Sequence, residues 1–227
     1  MRLSIVIPVL DEAGGIAASL AALRPLRARG AEVIVADGGS GDATRSIAAP
    51  LADRVIEAPR GRARQMNAGA GAATGEAIVF LHADTRLPEG ADAAIAAALA
   101  ARDWGRFDVT IEGRSRWLPL VAALMNARSR LTGIATGDQA IFARREAFAP
   151  AGGFPPIALM EDVAFSRAMK RPAAPACLRE RVVTSGRRWE RHGPLRTIVL
   201  MWRLRLAYFL GADPARLAER YAHHGSR

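Results

Sequence analysis

Cysteine is almost absent from this 227-residue sequence. The single cysteine, Cys177, excludes an intramolecular disulfide framework and a zinc site built from cysteines. The first apolar stretch reaches Asp11 and Glu12 too early for a signal peptide. We therefore expect a cytoplasmic protein. Its length and its 50% hydrophobic composition fit one globular domain with a sizeable core.

Two common nucleotide-binding motifs are also missing. No G-x-x-x-x-G-K-[ST] sequence occurs, and the loop after the first predicted strand lacks G-x-G-x-x-G, so neither a P-loop nor a dinucleotide-binding Rossmann site is supported. The sequence has no zinc finger, recognition helix or platform that combines aromatic and basic residues. Nucleic acid is therefore not an expected partner.

The net positive charge of the chain comes from its C-terminal half. Residues 1–113 carry 12 basic and 14 acidic side chains (net −2), whereas residues 114–227 carry 20 and 8 (net +12). Such a charge favours capture of a phosphorylated substrate or attraction to an anionic membrane surface.

Short apolar runs rich in β-branched residues alternate with alanine-rich stretches of helical length. This pattern predicts an α/β fold with a mainly parallel sheet. Strands are predicted over 3–9, 32–37, 53–58, 76–84 and 107–113, helices over 15–23, 62–74, 90–101, 118–133 and 161–171, and a strand turning into a short helix over 137–148.

No linker or repeat divides the chain, so we expect one domain over residues 1–192. Within it we expect two halves, residues 1–113 and residues 114–192, which the motifs below predict to face a nucleotide and an acceptor, respectively. Residues 193–227 form a C-terminal amphipathic helical segment, in which Arg203 and Arg205 argue against a membrane-spanning helix. A helix lying in a membrane interface and a helix packed on the domain both remain open.

Acidic residues follow three of the predicted strands, in the segments PVLDE, ADGGSGD and HAD. Because ligands bind at the carboxyl ends of strands in open α/β sheets, these carboxylates are expected to converge on one edge. Asp37 could then bind the base or ribose of a nucleotide. Asp84 could hold Mg²⁺ or Mn²⁺ on its diphosphate, since both metals prefer carboxylate oxygen.

Four motifs occur in a characteristic order: SIVIPVLDE, VIVADGGSGDAT, GRARQMNAGAGAATGEAIVFLHADT and MEDVAFSRAMKR. Together they resemble glycosyltransferase family 2, inverting enzymes of the GT-A fold that use nucleoside-diphosphate sugars. The resemblance covers roughly residues 3–170 and is greatest to small bacterial radical-SAM/selenodomain-associated transferases, some of them linked to arsenosugar biosynthesis. It implies a single Rossmann-like GT-A domain with a C-terminal helical extension.

The resemblance implies nucleotide-binding roles for residues in the first half of the chain. Pro8, Asp11 and Glu12 match the loop beside the nucleobase, and Asp37 matches the acid that reads the base. Arg64 matches a basic group near the nucleotide.

The family's Asp-x-Asp motif is represented here by His82, Ala83 and Asp84. Asp84 matches the acid that holds the metal, and His82 replaces the first acid. If the strand continues to residue 84, His82 and Asp84 point the same way and Ala83 points to the other face. The imidazole could then donate to a ribose hydroxyl or a phosphate oxygen. His192 is a further candidate metal ligand.

The acceptor side is expected to supply the general base. Asp162 is the favoured candidate and Glu161 the alternate, because the pair matches the family's Glu-Asp motif. Without the other motifs, a pair that only stabilises its helix N-terminus would be the better interpretation.

Two further segments match acceptor-side or diphosphate-binding motifs of the family. Gly137, Asp138 and Gln139 are expected near the transferred sugar. Arg188 and Trp189 match part of a Gln-x-x-Arg-Trp motif whose glutamine is replaced by serine, and could clamp diphosphate and stack on a sugar.

The sequence thus predicts a metal-dependent inverting glycosyltransferase that moves one sugar, from a UDP-sugar, to a hydroxyl-bearing acceptor, with an anionic membrane surface as a further partner. Two alternatives remain. One is a nucleotidyltransferase on a similar scaffold, although the acidic loop PVLDEAGG suits a triphosphate poorly. The other is a non-catalytic protein of the membrane surface that keeps the fold.

Overall fold

One mixed sheet with helices on both faces organises the computed structural model, which describes residues 1–223. The strands in this part of the chain are β1 (Leu3–Val9), β2 (Glu32–Asp37), β3 (Arg54–Glu57), β4 (Ala77–Phe80), β5 (Thr85–Arg86), β6 (Trp104–Glu112), β7 (Phe142–Arg144) and β8 (Ala176–Ser185). The α-helices are α1 (Ile16–Ala22), α2 (Arg24–Ala28), α3 (Thr44–Ala48), α4 (Arg62–Ala72), α5 (Ala91–Leu99), α6 (Leu118–Thr132), α7 (Arg145–Phe148), α8 (Glu161–Lys170), α9 (Arg187–His192), α10 (Pro194–Phe209) and α11 (Pro214–His223).

The strand order in the sheet is β3-β2-β1-β4-β7-β6-β8-β5. The first four strands are parallel, β7 is antiparallel to β4 and β6, β8 is parallel to β6, and β5 is antiparallel to β8. The predicted α/β fold with a mainly parallel sheet is confirmed. The parallel half belongs to the predicted nucleotide-binding segment.

The buried central strands explain the near-continuous apolar runs of the sequence. Every residue of β2 and β4 is buried, as expected for strands covered by helices on both faces. In β1, Ile5 and Ile7 pack into one hydrophobic cluster and Val6 into another. Helix α4 approaches β1 so closely that a Cβ atom at Gly69 would lie 2.2 Å from Cγ1 of Val6.

The strand predicted over 76–84 is wrong in its C-terminal half, because β4 ends at Phe80. The Leu81 N–H still donates to the Val6 carbonyl, but the Thr85 N–H then donates to the His82 carbonyl and closes a turn. Residues 82–84 therefore follow turn geometry, and the alternation of side chains expected for a strand does not apply to them.

The second half of the sheet was only partly predicted. Strand β6 was expected over 107–113 and begins earlier, at Trp104. Strand β8 was not predicted, since three consecutive exposed charged residues, Arg179, Glu180 and Arg181, hide its periodicity. The short helices α2, α3 and α9 were also not predicted.

The C-terminal helices pack through a small hydrophobic cluster of their own. Its buried members are Met160, Leu204 and Leu217, and its outer members include side chains from α8, α10 and α11. Among residues 1–223, no helix has the length and apolar character needed to cross a membrane. The division of the chain at residue 192 stays a prediction.

Candidate active site

The loops after β1 and β2 are tied together at the carboxyl edge of the sheet. The Asp11 carboxylate accepts a hydrogen bond from the Gly41 N–H at 2.8 Å, and the Asp11 N–H donates to Ser40 Oγ at 3.0 Å. The Glu12 N–H donates to Thr44 Oγ1 at 2.8 Å. These bonds fix the backbone of the segment in which the base-binding residues were predicted.

Asp37 is fully buried and serves this loop structure. Its carboxylate accepts hydrogen bonds from the N–H groups of Gly39 (3.0 Å) and Ser40 (3.1 Å) and from the Ser40 hydroxyl. Such a local network is typical of an Asx turn. In this arrangement Asp37 shapes the loop and does not face the cavity beside it.

A cavity of about 770 Å³ lies at this edge of the sheet and extends towards α6 and α10. It brings together ten of the residues that the sequence singled out: Pro8, Glu12, His82, Ala83, Asp84, Gly137, Asp138, Glu161, Asp162 and Trp189.

Asp84 presents a partly exposed carboxylate to this cavity, with 35% of its side chain accessible. Arg187 Nη2 lies 3.9 Å from its Oδ2 atom. Glu12 also borders this corner. Burial raises the pKa of Glu12 against the opposing charge of Arg187, and the charge of Asp84 raises it further. Two carboxylates and a guanidinium thus share the corner where the metal and diphosphate were predicted.

The carboxylate of Asp84 fits a divalent metal of the magnesium type. Among the described residues, no group of three or more His, Cys, Asp or Glu side chains could enclose a metal ion. Mg²⁺ does not need such an enclosure, because it usually keeps several waters and binds one or two carboxylates plus substrate phosphates. Asp84 is therefore a side chain that could hold such an ion at this corner of the cavity.

His82 lines the same cavity, and its ring contacts neighbouring residues. Its Nδ1 lies 3.2 Å from Oδ1 of Asp138, and its Nε2 is buried with no hydrogen-bond partner in the described part of the chain. The ring packs against Gly137, where an added Cβ atom would lie 2.3 Å from Nε2. His82 therefore packs against the turn at Gly137, and the nucleotide contact predicted for it stays a prediction.

Glu161 and Asp162 begin α8 and differ in their surroundings. Asp162 Oδ2 accepts a hydrogen bond from the Gly137 N–H at 3.0 Å, and Oδ1 accepts one from the Val163 N–H at 2.7 Å. Only 6% of the Glu161 side chain is exposed, and Arg62 Nη1 lies 3.6 Å from it. Burial raises the pKa of Glu161, the Asp162 charge adds to this, and Arg62 opposes it.

Several predicted site residues lie outside the cavity. Asp11 and Asp37 belong to the loop network, and Arg64 is exposed on α4. Gln139 is fully buried, and its Oε1 accepts a hydrogen bond from the Thr136 N–H, which completes a capping box. The expected nucleotide or acceptor contacts of these four residues have no support in the structure.

The side chains of Arg188 and His192 lie outside the described part of the structure, so the roles predicted for them stay predictions.

Four arginines at the cavity or its edge were not predicted: Arg62, Arg128, Arg187 and Arg205. For two of them the sequence does carry a signal. Arg128 follows Val121 and Met125 at helical spacing, and Arg205 follows Ile198 and Met201 in the same way. A charged residue within an otherwise apolar helical stripe indicates a buried polar site.

Backbone strain is concentrated around this cavity. Within residues 1–223, three non-glycine residues have a left-handed backbone: Asp11 (φ 53°), Ala140 (φ 46°) and Met160 (φ 71°). They adjoin Glu12, the Gly137 turn and Glu161, respectively. Each such conformation costs about 1–3 kcal/mol and persists where the surrounding structure requires it, often at functional sites.

The sheet order and the carboxylate-lined cavity at its edge define a GT-A-type, Rossmann-like protein. Its sequence matches the model of glycosyl transferase family 2 over residues 4–148, and the chain belongs to that family. No curated protein matches the sequence.

Solved structures share the fold. TarS of S. aureus, residues 1–349 in complex with UDP-GlcNAc, is 16% identical, with a TM-score of 0.63 over 82% of this chain and 58% of that one. Glucosyl-3-phosphoglycerate synthase of Mycobacterium tuberculosis, in complex with Mn²⁺, UDP and glucosyl-3-phosphoglycerate, is 22% identical, with a TM-score of 0.60 over 92% of this chain and 78% of that one. This chain thus spans less than two thirds of the TarS fragment.

Proposed function

We propose that the protein is a metal-dependent inverting glycosyltransferase that moves one sugar from a UDP-sugar to a hydroxyl group of an acceptor. One observation carries this proposal: Asp84 and Asp162, from distant parts of the chain, face the same cavity. Family membership and the complexes of similar structures with UDP or UDP-GlcNAc support a nucleotide-sugar donor.

Asp84 would hold Mg²⁺ or Mn²⁺ on the donor diphosphate. When bound, the metal neutralises charge that develops on the departing diphosphate. Similar structures contain Mn²⁺ or Mg²⁺ together with UDP. Arg187, beside Asp84, would add a second positive charge at the same oxygens.

Asp162 would act as the general base. In an inverting transfer, the acceptor hydroxyl attacks the anomeric carbon from the face opposite the leaving diphosphate, and its proton passes to a carboxylate. Each Asp162 oxygen is already oriented by a backbone N–H donor, so the carboxylate is fixed before the acceptor binds. Glu161, buried beside Arg62, is less accessible to the acceptor.

The test is calorimetric titration with UDP in the presence of Mn²⁺. We expect the intact protein to bind, and Asp84→Ala to weaken that binding by about tenfold or more, because the metal bridge to the diphosphate is lost. His82→Ala should bind UDP like the intact protein, and chelation of Mn²⁺ should reduce the wild type to the level of Asp84→Ala. Absence of UDP binding by the folded wild type would contradict the proposal.

The outer face of α10 suggests an anionic membrane surface as a further partner. Trp202, Leu206 and Phe209 follow helical spacing and are 64%, 61% and 74% exposed. Aromatic and aliphatic side chains of this kind, next to basic ones, are typical of helices that lie in the membrane interface.

Within the family, the resemblance to radical-SAM/selenodomain-associated transferases stays a proposal.

Sedimentation with vesicles tests this surface. We expect the protein to co-sediment with phosphatidylglycerol vesicles, and Leu206→Ser/Phe209→Ser to reduce the bound fraction severalfold because apolar contact is lost. Phosphatidylcholine vesicles serve as the control for charge. If the double variant sediments like the wild type, α10 is not the contact surface.

A further inference from the structure

Two arginines from different helices face the acceptor side of the cavity. Arg128 lies on α6 and Arg205 on α10, and both line the same cavity as Asp162. Nε and Nη2 of Arg128 and Nε of Arg205 are buried and have no hydrogen-bond partner in the described part of the chain.

Buried guanidinium N–H groups without hydrogen bonds are costly, so a partner that accepts hydrogen bonds from these three nitrogens would stabilise the protein. Burial, followed by the positive charge of Arg205, lowers the pKa of Arg128 to about 10, so the two groups are close enough to repel each other. Burial also lowers the pKa of Arg205. At neutral pH both remain charged.

The nearby carboxylates do not replace such a partner. Asp162 attracts both guanidinium groups, and Asp138 attracts Arg205. However, Asp162 is engaged by backbone N–H donors, and Asp138 contacts His82. These carboxylates therefore leave the three buried guanidinium nitrogens without a hydrogen-bond acceptor in the described part of the chain.

We propose that the acceptor carries an anionic group of the phosphate type, bound between Arg128 and Arg205. This assignment rests on the proposed function, because it identifies the acceptor of that same site. Guanidinium groups bind phosphate through paired, charge-assisted hydrogen bonds, and two of them match its two negative charges. The group lies on the acceptor side because Asp84 and Arg187 mark the donor diphosphate at another corner.

The cavity mouth beside these arginines is apolar. Leu124, Leu131 and Trp202 line it and are 49%, 87% and 64% exposed. An acceptor whose phosphate reaches Arg128 and Arg205 therefore passes apolar side chains. The same phosphate chemistry could come from a free phosphorylated compound or from a lipid headgroup, and the two sources can be separated by experiment.

The experiment titrates two phosphate probes into the protein, first alone and then with saturating UDP and Mn²⁺ to fill the donor site. The probes are inorganic phosphate and dihexanoyl phosphatidic acid below its micelle concentration. We expect binding in both conditions. Arg128→Gln and Arg205→Gln should each weaken it about tenfold or more, because each removes a charged donor pair. Arg203→Gln, an exposed site on the same helix as Arg205, is the matched control and should bind like the wild type.

Conservative variants distinguish loss of phosphate binding from loss of folding. Arg128→Lys and Arg205→Lys keep the charge and should recover part of the affinity, with unchanged circular dichroism. Tighter binding of phosphatidic acid than of phosphate supports a lipid acceptor, and equal binding supports a free phosphorylated one.

Three results would overturn the assignment: neither probe binds while UDP does, the glutamine variants bind the probes like the wild type, or they lose UDP affinity to the same extent. Failure of the proposed function appears separately, as absence of UDP binding.

Discussion

Replacing Asp162 with asparagine should lower the rate of sugar transfer by about 10²- to 10⁴-fold, the range expected for loss of a general base. Asparagine keeps the size of the side chain and one oxygen that can accept the Gly137 N–H, so the local structure should persist. The dissociation constant for UDP with Mn²⁺ should stay nearly unchanged, because Asp162 does not hold the diphosphate. Steady-state nucleotide release, with acceptor present, measures the first quantity and calorimetry the second.

The matched control is Glu161→Gln at the neighbouring position. Glu161 is buried beside Arg62, and burial already favours its neutral form by raising its pKa. Its neutral isostere should therefore retain most of the transfer rate. If Glu161→Gln loses as much activity as Asp162→Asn, or if Asp162→Asn loses UDP binding as well, Asp162 is not the base.

Gly69→Ala should destabilise the protein by about 1–3 kcal/mol, the usual cost of inserting a methyl group into a packed core. The added Cβ would lie 2.2 Å from Cγ1 of Val6, so α4 must move away from β1. Urea denaturation measures the free energy of unfolding.

Gly71→Ala on the same helix provides the opposite expectation. No atom lies within 4 Å of a Cβ added at Gly71, and alanine favours helix over glycine by roughly 0.5–1 kcal/mol. This variant should therefore be more stable than the wild type. Equal effects of the two substitutions would show that α4 does not pack against β1 as described.

The sequence was sufficient to predict the parallel half of the fold. The apolar runs of β1, β2 and β4 are nearly continuous, so the sequence alone predicts that these strands are buried on both faces. The same runs located Asp84 and Glu12 near one edge. The apolar runs did not show where β4 ends, because the strand is followed by a turn that the His82 carbonyl closes. The orientation of His82 depends on this turn and could not be predicted either.

Asp37 and the arginines show a second limit of sequence reasoning. A carboxylate at a strand end has the same sequence signature whether it faces a ligand or, as with Asp37, accepts hydrogen bonds from its own loop. Conversely, Arg128 and Arg205 belong to helices that are far apart in sequence, and only the packing of α10 near α6 reveals that they share a cavity.

The packing of the C-terminal helices also has a consequence for access to the cavity. Among the described residues, the cluster that joins α10 and α11 to α8 has three buried members, Met160, Leu204 and Leu217, whereas the sheet is covered by two much larger clusters. Segments with few buried apolar contacts open at a lower free energy than the rest of a domain. We therefore expect the wall that carries Arg205 to open at a lower free energy than the sheet, so an acceptor bound there would also have to hold these helices closed.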